Sequence, residues 1–202
     1  MIAAHAVGRP LEAVFLDRDG TINVPAAAGD YVRSPDELVL LPGAAAAIRR
    51  LNRAGLRTVL VTNQRWLSMP GADRAAFVAT QDRLVELLAA EGARLDAAYH
   101  CPHAHRSCLC RKPAPGMLWR AADELAIDLT RSVIVGDAVS DVQAGRAAGT
   151  GTILLGAGAR SPLADAVRPD LPSAVDALIP HRAAQRRQHL EEPHACGRQE
   201  RF

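Results

Sequence analysis

The chain has 202 residues, enough for one ordinary domain, and 49% of them are hydrophobic, which excludes a chain disordered throughout. Its 24 basic and 22 acidic residues leave a net charge of +2, without the basic excess of a dedicated nucleic-acid or membrane-surface binder. No apolar run approaches the roughly 18 residues of a membrane span, and residues 1–10 lack the apolar stretch of a secretory signal, so a cytoplasmic protein is expected.

Residues 13–16 (AVFL) are a short apolar run that stops at Asp17-Arg18-Asp19-Gly20-Thr21, the pattern of a buried strand with a polar loop at its carboxyl end. Pro42-Gly43 opens a helix in which Ala44, Ala47, Ile48, Leu51 and Ala54 recur at helical spacing, and Gly55 stops it. Residues 58–62 (TVLVT) predict a second strand that ends at Asn63-Gln64. Residues 72–91 read as a helix with Phe77, Leu84, Leu87 and Leu88 on one face and Gly92 behind it. Residues 97–100 predict a short strand running into a loop of cysteine and histidine, and Pro115-Gly116 starts the next helix. Residues 132–135 (SVIV) are a strand leading into Gly136-Asp137, followed by a short helix to Ala148 and a strand at 152–155 (TILL). Residues 1–180 therefore read as one domain, and 181–202, polar and arginine-rich, as a disordered tail.

Strands alternate with helices, and the strands are continuous apolar runs, which predicts an α/β fold: a parallel sheet covered by helices on both faces. Ligands bind such sheets at the carboxyl ends of the strands. Asp17 and Asp19, Thr62 and Asn63, and Asp137 all follow strand ends, so the fold gathers them on one rim. Carboxylates converging there repel one another unless a cation compensates them, and oxygen-only ligands favour Mg²⁺, which commonly comes with phosphate. One carboxylate can act as nucleophile and form an aspartyl-phosphate, and a second two residues on can protonate the leaving oxygen and then activate water. Lys112 is the one lysine among the 24 basic residues, so its retention is informative; with the Thr62 hydroxyl it can balance charge on a transferring phosphoryl group.

The loop at 101–110 has the spacing C-x-H-x4-C-x-C, with Cys101, His103, Cys108 and Cys110 as ligands for a tetrahedral, structural Zn²⁺ and His105 as the alternative histidine. It ends immediately before Arg111-Lys112, so a closed metal site there would aim the lysine. Cys196, the remaining cysteine, is expected to be a free thiol.

Asp17-Arg18-Asp19-Gly20-Thr21-Ile22-Asn23, Val61-Thr62-Asn63-Gln64, Arg111-Lys112-Pro113 and Val135-Gly136-Asp137 together resemble the four ordered motifs of the haloacid dehalogenase superfamily, over roughly residues 12–156. The resemblance implies that superfamily's Rossmann-like fold, Asp17 as nucleophile and Asp19 as general acid and base. It implies that Thr62 and Lys112 hold the phosphoryl group, and that Asp17, the Asp19 carbonyl and Asp137 hold Mg²⁺, with Asp141 supporting the metal site. Cys-Pro-His, Cys-x-Cys-Arg-Lys-Pro and Pro115-Gly116-Met117 resemble the branch that contains D-glycero-D-manno-heptose 1,7-bisphosphate 7-phosphatase and histidinol-phosphate phosphatase; the Cys-Pro-His pattern favours His103 over His105. Arg18, Asn63 and Arg111 are then the substrate-binding candidates, Arg111 for a second phosphate. Arg18 has a structural ion pair as its competing role. The expected partner is a small phosphorylated metabolite, with no nucleic acid and no membrane, bound by a monomer.

Neither insertion between strands has room for a separate cap domain, which predicts an open site. Two features depart from the branch. Residues 65–70, Arg65-Trp66-Leu67-Ser68-Met69-Pro70, stand where relatives commonly have Ser-Gly and a loop of small residues, and Ala138 stands where many carry lysine. Trp66 is expected to bury itself rather than pack on a sugar. The substrate expected is the heptose bisphosphate, with histidinol phosphate as the alternative; Asp30, Asp36 or Glu37 would serve an ammonium. A non-catalytic binding protein on a decayed phosphatase fold has only the altered loop and Ala138 in its favour, and a zinc nucleic-acid module gains nothing from the near-neutral charge.

Overall fold

The computed structural model describes residues 10–27, 30–104 and 107–179; the segment 181–202 with Cys196, the first nine residues and His105 lie outside them. Six strands form one parallel sheet: β1 (Ala13–Leu16), β2 (Arg57–Asn63), β3 (Ala97–Cys101), β4 (Ser132–Gly136), β5 (Gly151–Leu155) and β6 (Ala166–Arg168), in the order β3-β2-β1-β4-β5-β6. Phe15 of β1 lies opposite Val59 on one side and Ile134 on the other. The order reverses between β1 and β4, the place where parallel sheets of this kind open a crevice for ligands.

Both faces are covered by α1 (Ala44–Arg53), α2 (Arg74–Ala90), α3 (Gly116–Leu125), α4 (Val139–Ala148) and α5 (Leu171–Leu178). The period of two along each strand divides the core. Val14, Leu16, Leu60 and Val135 pack with Ile48 and Leu51 of α1 and Val175 of α5. Phe15, Val61 and Ile134 pack with Leu118 and Ala121 of α3 and Ala144 of α4. Every residue of β1, β4 and β5 is buried, which is why these strands read as unbroken apolar runs.

The structure differs from the sequence-based elements in places with identifiable causes. Helix α2 begins at Arg74 rather than at 72, because the Asp73 carboxylate accepts from the Ala76 N–H at 3.0 Å and caps it. Strand β6 and helix α5 are not predicted at all. The former is three half-buried residues at the sheet edge, too short to show a period. No separate cap is built: among the described residues, the β1–α1 segment holds a 3-10 turn at Pro35–Glu37 and isolated bridges, and the β2–β3 segment a 3-10 turn at Arg65–Ser68 and α2.

Candidate active site

Strand β1 leads into Asp17, whose N–H is still held by the Val135 carbonyl of β4 at 3.0 Å. The chain then turns sharply: the Arg18 carbonyl accepts from Ile22 at 2.8 Å and Asn23 at 3.1 Å. Gly20 makes the turn possible at φ +81°, and a Cβ there would stand 2.0 Å from Asp137 Oδ2. This close approach brings the loops after β1 and β4 together. At the end of β4 the same holds for Gly136, where a Cβ would stand 2.2 Å from Asp141 Oδ2.

Lys112 is buried at the centre. Its Nζ lies 2.8 Å from Asp17 Oδ1 and 2.6 Å from Asp141 Oδ1, and donates to the Val61 carbonyl at 2.8 Å. Burial alone would lower the lysine's pKa; Asp141 and Asp17 outweigh it and the net shift is upward. Asp141 is itself tied down, its Oδ2 accepting from the Ala138 N–H at 3.0 Å. Burial pushes the Asp17 carboxyl up to about 7, against Lys112, which lowers it, and with Asp141, which raises it further. Asp137 is raised too, by partial burial and then by Asp141. Donor oxygens of Asp17, Asp137 and Asp141 lie within 4.8 Å of one another. Three carboxylates share one ammonium, so the group is short of positive charge, and hard oxygen donors of this kind fit Mg²⁺.

Asp19 is held on both oxygens. Its Oδ1 accepts from Arg18 Nε at 3.2 Å and Asn23 Nδ2 at 2.9 Å; its Oδ2 accepts from Arg18 Nη2 and Gln64 Nε2, each at 3.1 Å. A cavity of about 240 Å³ is walled by Asp17, Asp19, Asp30, Thr62, Lys112 and Ala138, among others. A larger hollow of about 450 Å³ has Gly20 and Asp137 in its lining but is otherwise walled mainly by apolar groups such as Leu41, Leu155 and Leu171. Asp17, Asp19 and Lys112 converge on the smaller one.

Two expected substrate contacts are placed otherwise. Arg18 is fully buried: besides Asp19 it donates to Gln81 Oε1 at 2.7 Å and to the Val32 carbonyl at 3.3 Å, so its fork is saturated inside the protein and turned from the cavity. Asn63 borders the cavity, but its amide clamps the Lys112 main chain, donating to the carbonyl at 3.0 Å and accepting from the N–H at 3.1 Å. It therefore aims the lysine. Arg111 is half-buried with Nη1 3.5 Å from the His103 carbonyl, on the side of the cysteine loop. Gln64 and Gln81 were not singled out from sequence. The first follows the Thr62-Asn63 pair directly; the second sits on α2 with no local signal.

In the cysteine loop, Cys110 Sγ lies 3.3 Å from Cys101 Sγ and from Cys108 Sγ, Cys101 and Cys108 are 3.5 Å apart, and His103 Nδ1 is 3.2 Å from Cys110 Sγ. These separations are far beyond a disulfide bond and close to the edge of a tetrahedron around zinc, about 3.7 Å for sulfurs at zinc–sulfur distance. Burial raises the Cys101 thiol and pushes Cys110 up to about 12; for Cys108, hydrogen bonds from its neighbours outweigh burial and bring it down to about 7. A cluster of three thiols and a histidine without hard ligands suits zinc. Trp66 buries itself as expected, its ring edge-on to Phe77 with centroids 6.3 Å apart and the Arg33 guanidinium 5.8 Å above it.

Comparison with known proteins agrees with this geometry. The family model "haloacid dehalogenase-like hydrolase" matches residues 12–149. A D-glycero-beta-D-manno-heptose-1,7-bisphosphate 7-phosphatase of Mesorhizobium japonicum is 46% identical over 147 residues, which are 69% of this chain and 66% of that protein. The protein of the same name from Photorhabdus laumondii is 40% identical over 72% of this chain and 80% of its own length. The crystal structure of D,D-heptose 1,7-bisphosphate phosphatase from B. bronchiseptica, complexed with magnesium and phosphate, superposes with a TM-score of 0.76 at 36% identity, covering 83% of this chain and 98% of that one. No helix among the described residues is long and apolar enough to cross a membrane. With its motifs on the rim of a six-stranded parallel sheet, this chain belongs to the haloacid dehalogenase-like hydrolases.

Proposed function

We propose that this chain is a phosphatase that removes the 7-phosphate of D-glycero-D-manno-heptose 1,7-bisphosphate through an aspartyl-phosphate on Asp17. The observation that carries the reading is the convergence of Asp17, Asp19, Thr62 and Lys112 on one cavity, with Lys112 2.8 Å from Asp17. The named relatives at 38–46% identity support the substrate.

A carboxylate oxygen of Asp17 attacks phosphorus as the sugar oxygen leaves and takes a proton from Asp19. Asp19 then accepts a proton from water, which attacks the phosphorus of the aspartyl-phosphate, releasing inorganic phosphate and restoring Asp17. Lys112 and Thr62 hold the phosphoryl oxygens, and Asn63 and Asp141 hold Lys112. Asp17, Asp137 and the Asp19 carbonyl would hold Mg²⁺, which when bound supplies the positive charge that the three carboxylates lack and that the transferring group requires. Cys101, His103, Cys108 and Cys110 would hold a structural Zn²⁺ that braces the segment leading into Lys112. Arg111, next to the lysine, is the guanidinium assigned to the second phosphate.

Asp30 borders the cavity and would suit the ammonium of histidinol phosphate, but it already pairs with Arg33 at 2.8 Å, which favours the bisphosphate. The enzyme is read as a cytoplasmic monomer: the three cysteines among the described residues form no disulfide, which fits a reducing compartment. Asp17→Asn is expected to abolish phosphate release while circular dichroism stays that of the parent, and rapid quenching of the parent with labelled substrate should trap labelled protein. Turnover by the variant would remove Asp17 as nucleophile, and faster release from histidinol phosphate would replace the substrate.

A further inference from the structure

Gln64 stands two residues beyond Thr62, is fully buried and touches both sides of the cavity's chemistry. Its Nε2 lies 2.9 Å from Thr62 Oγ1 and 3.1 Å from Asp19 Oδ2, and its Oε1 lies 2.8 Å from Trp66 Nε1. Which end of a glutamine amide is oxygen follows from its partners. An indole N–H is a donor only, so Oε1 faces Trp66; a carboxylate accepts from an amide NH₂, so Nε2 faces Asp19. Both neighbours demand the same orientation. The Thr62 hydroxyl then accepts from Nε2, which leaves its own proton free to be donated elsewhere. In the reverse orientation Thr62 would give its proton to Oε1, and Asp19 would face a carbonyl oxygen.

Trp66 is fixed in turn. It is 3% exposed, meets Phe77 edge-on and lies under the Arg33 guanidinium, so the indole cannot swing away from Gln64 without unpacking. It belongs to residues 65–70, the stretch in which this chain departs from the small-residue loop of the branch it resembles. That departure places a fixed donor against the amide.

We propose that Gln64, oriented by the Trp66 indole N–H, is a positioning residue that keeps the Thr62 proton directed at the transferring phosphoryl group; Asp19 is held without it, by Arg18 and Asn23. The inference rests on the phosphotransfer reading above and assigns a role to a residue outside the reacting set. A donor of this kind acts mainly on the transition state, so its loss lowers kcat more than it raises KM.

The experiment is a double-mutant cycle on the full chain with heptose bisphosphate as substrate. Trp66→Phe keeps the ring and deletes the N–H; kcat is expected to fall about fivefold with KM within about twofold of the parent. Thr62→Val is expected to lower kcat by roughly a hundredfold. Thr62→Val combined with Trp66→Phe should be within about twofold of Thr62→Val alone, because the indole's effect passes through the hydroxyl. Gln64→Glu, nearly isosteric, offers at most one proton where the amide offers two and sets a carboxyl against Asp19; measured below its lowered melting temperature, it should lose more kcat than Trp66→Phe and is the second arm if Trp66→Phe misfolds. Parent-like kcat in both Trp66→Phe and Gln64→Glu, or a fivefold loss repeated in full on the Thr62→Val background, overturns the positioning role while leaving Thr62 and Asp17 in place. Parent-like activity of Thr62→Val instead overturns the phosphotransfer assignment of Thr62, and the inference with it.

Discussion

At Gly20 a hydrogen in place of a methyl group lets the loop after β1 close on the loop after β4. The motif Asp17-Arg18-Asp19-Gly20-Thr21 makes the turn legible in sequence, but the reason for glycine is the Asp137 carboxylate 2.0 Å from the missing Cβ. Gly20→Ala should combine a strained φ of +81° with displacement of Asp137. The magnesium concentration for half-maximal activity is expected to rise by about tenfold, read from a titration of phosphate release. An unchanged titration would remove Asp137 from the metal site. Asp17, Asp19 and Thr62 are equally legible because they close apolar runs, and Lys112 because it is the one lysine of the chain. Arg18 is the counter-case: its neighbours in sequence suggest a phosphate contact, whereas Gln81, 63 residues away, takes up its guanidinium.

At the scale of elements, the segment from β3 to α3 carries both the cysteine cluster and Lys112, so under the proposed function its order bears on catalysis as well as on stability. Cys108→Ser is expected to lose bound zinc in a metal assay and to lower both melting temperature and kcat. Full zinc content or parent-like stability would dismiss the structural-metal role. Helix α5 packs against α1 through Val175 and Leu171, yet the sequence reading passes over it. Its signal was present: Asp170 caps the helix, accepting from the Ser173 N–H at 2.8 Å, and Pro172 sits in the first turn. Asp170→Ala should cost about 1 kcal/mol in chemical denaturation without changing kcat. Strand β6 has no such signal, because three half-buried residues on a sheet edge carry neither period nor run.

For the whole molecule, the crowded carboxylates make folding depend on pH and on magnesium. The Asp17 carboxyl rises from its ordinary 3.8 to about 7 in the folded chain, through burial, with Lys112 opposing and Asp141 adding to the rise. Between those values the native state binds more protons than the unfolded chain, so this contribution to stability falls as pH rises from about 4 to about 7. Lys112, raised above its ordinary 10.5, contributes equally across that window. With magnesium omitted and the cysteine loop left loaded with zinc, the urea midpoint is expected to be lower at pH 7.5 than at pH 5.5. Added Mg²⁺ should raise it more at pH 7.5, where the carboxylates are ionised. A midpoint that climbs with pH in the absence of magnesium would show that the carboxylates are compensated without it.

By itself the sequence determined the parallel character of the sheet, its strands and helices as far as β5, and the gathering of Asp17, Asp19, Thr62 and Asp137 on one rim. These follow from local patterns: apolar runs that need two covered faces, and polar residues that cannot remain inside them. Only the tertiary structure decided that Arg18 and Asn63 support Asp19 and Lys112, that Gln64 bridges Thr62 and Asp19, and that Trp66 orients it. Those roles depend on which buried donor meets which acceptor across segments distant in the chain, and a desolvated hydrogen-bonding group takes the partner that packing brings, whatever its neighbours in sequence.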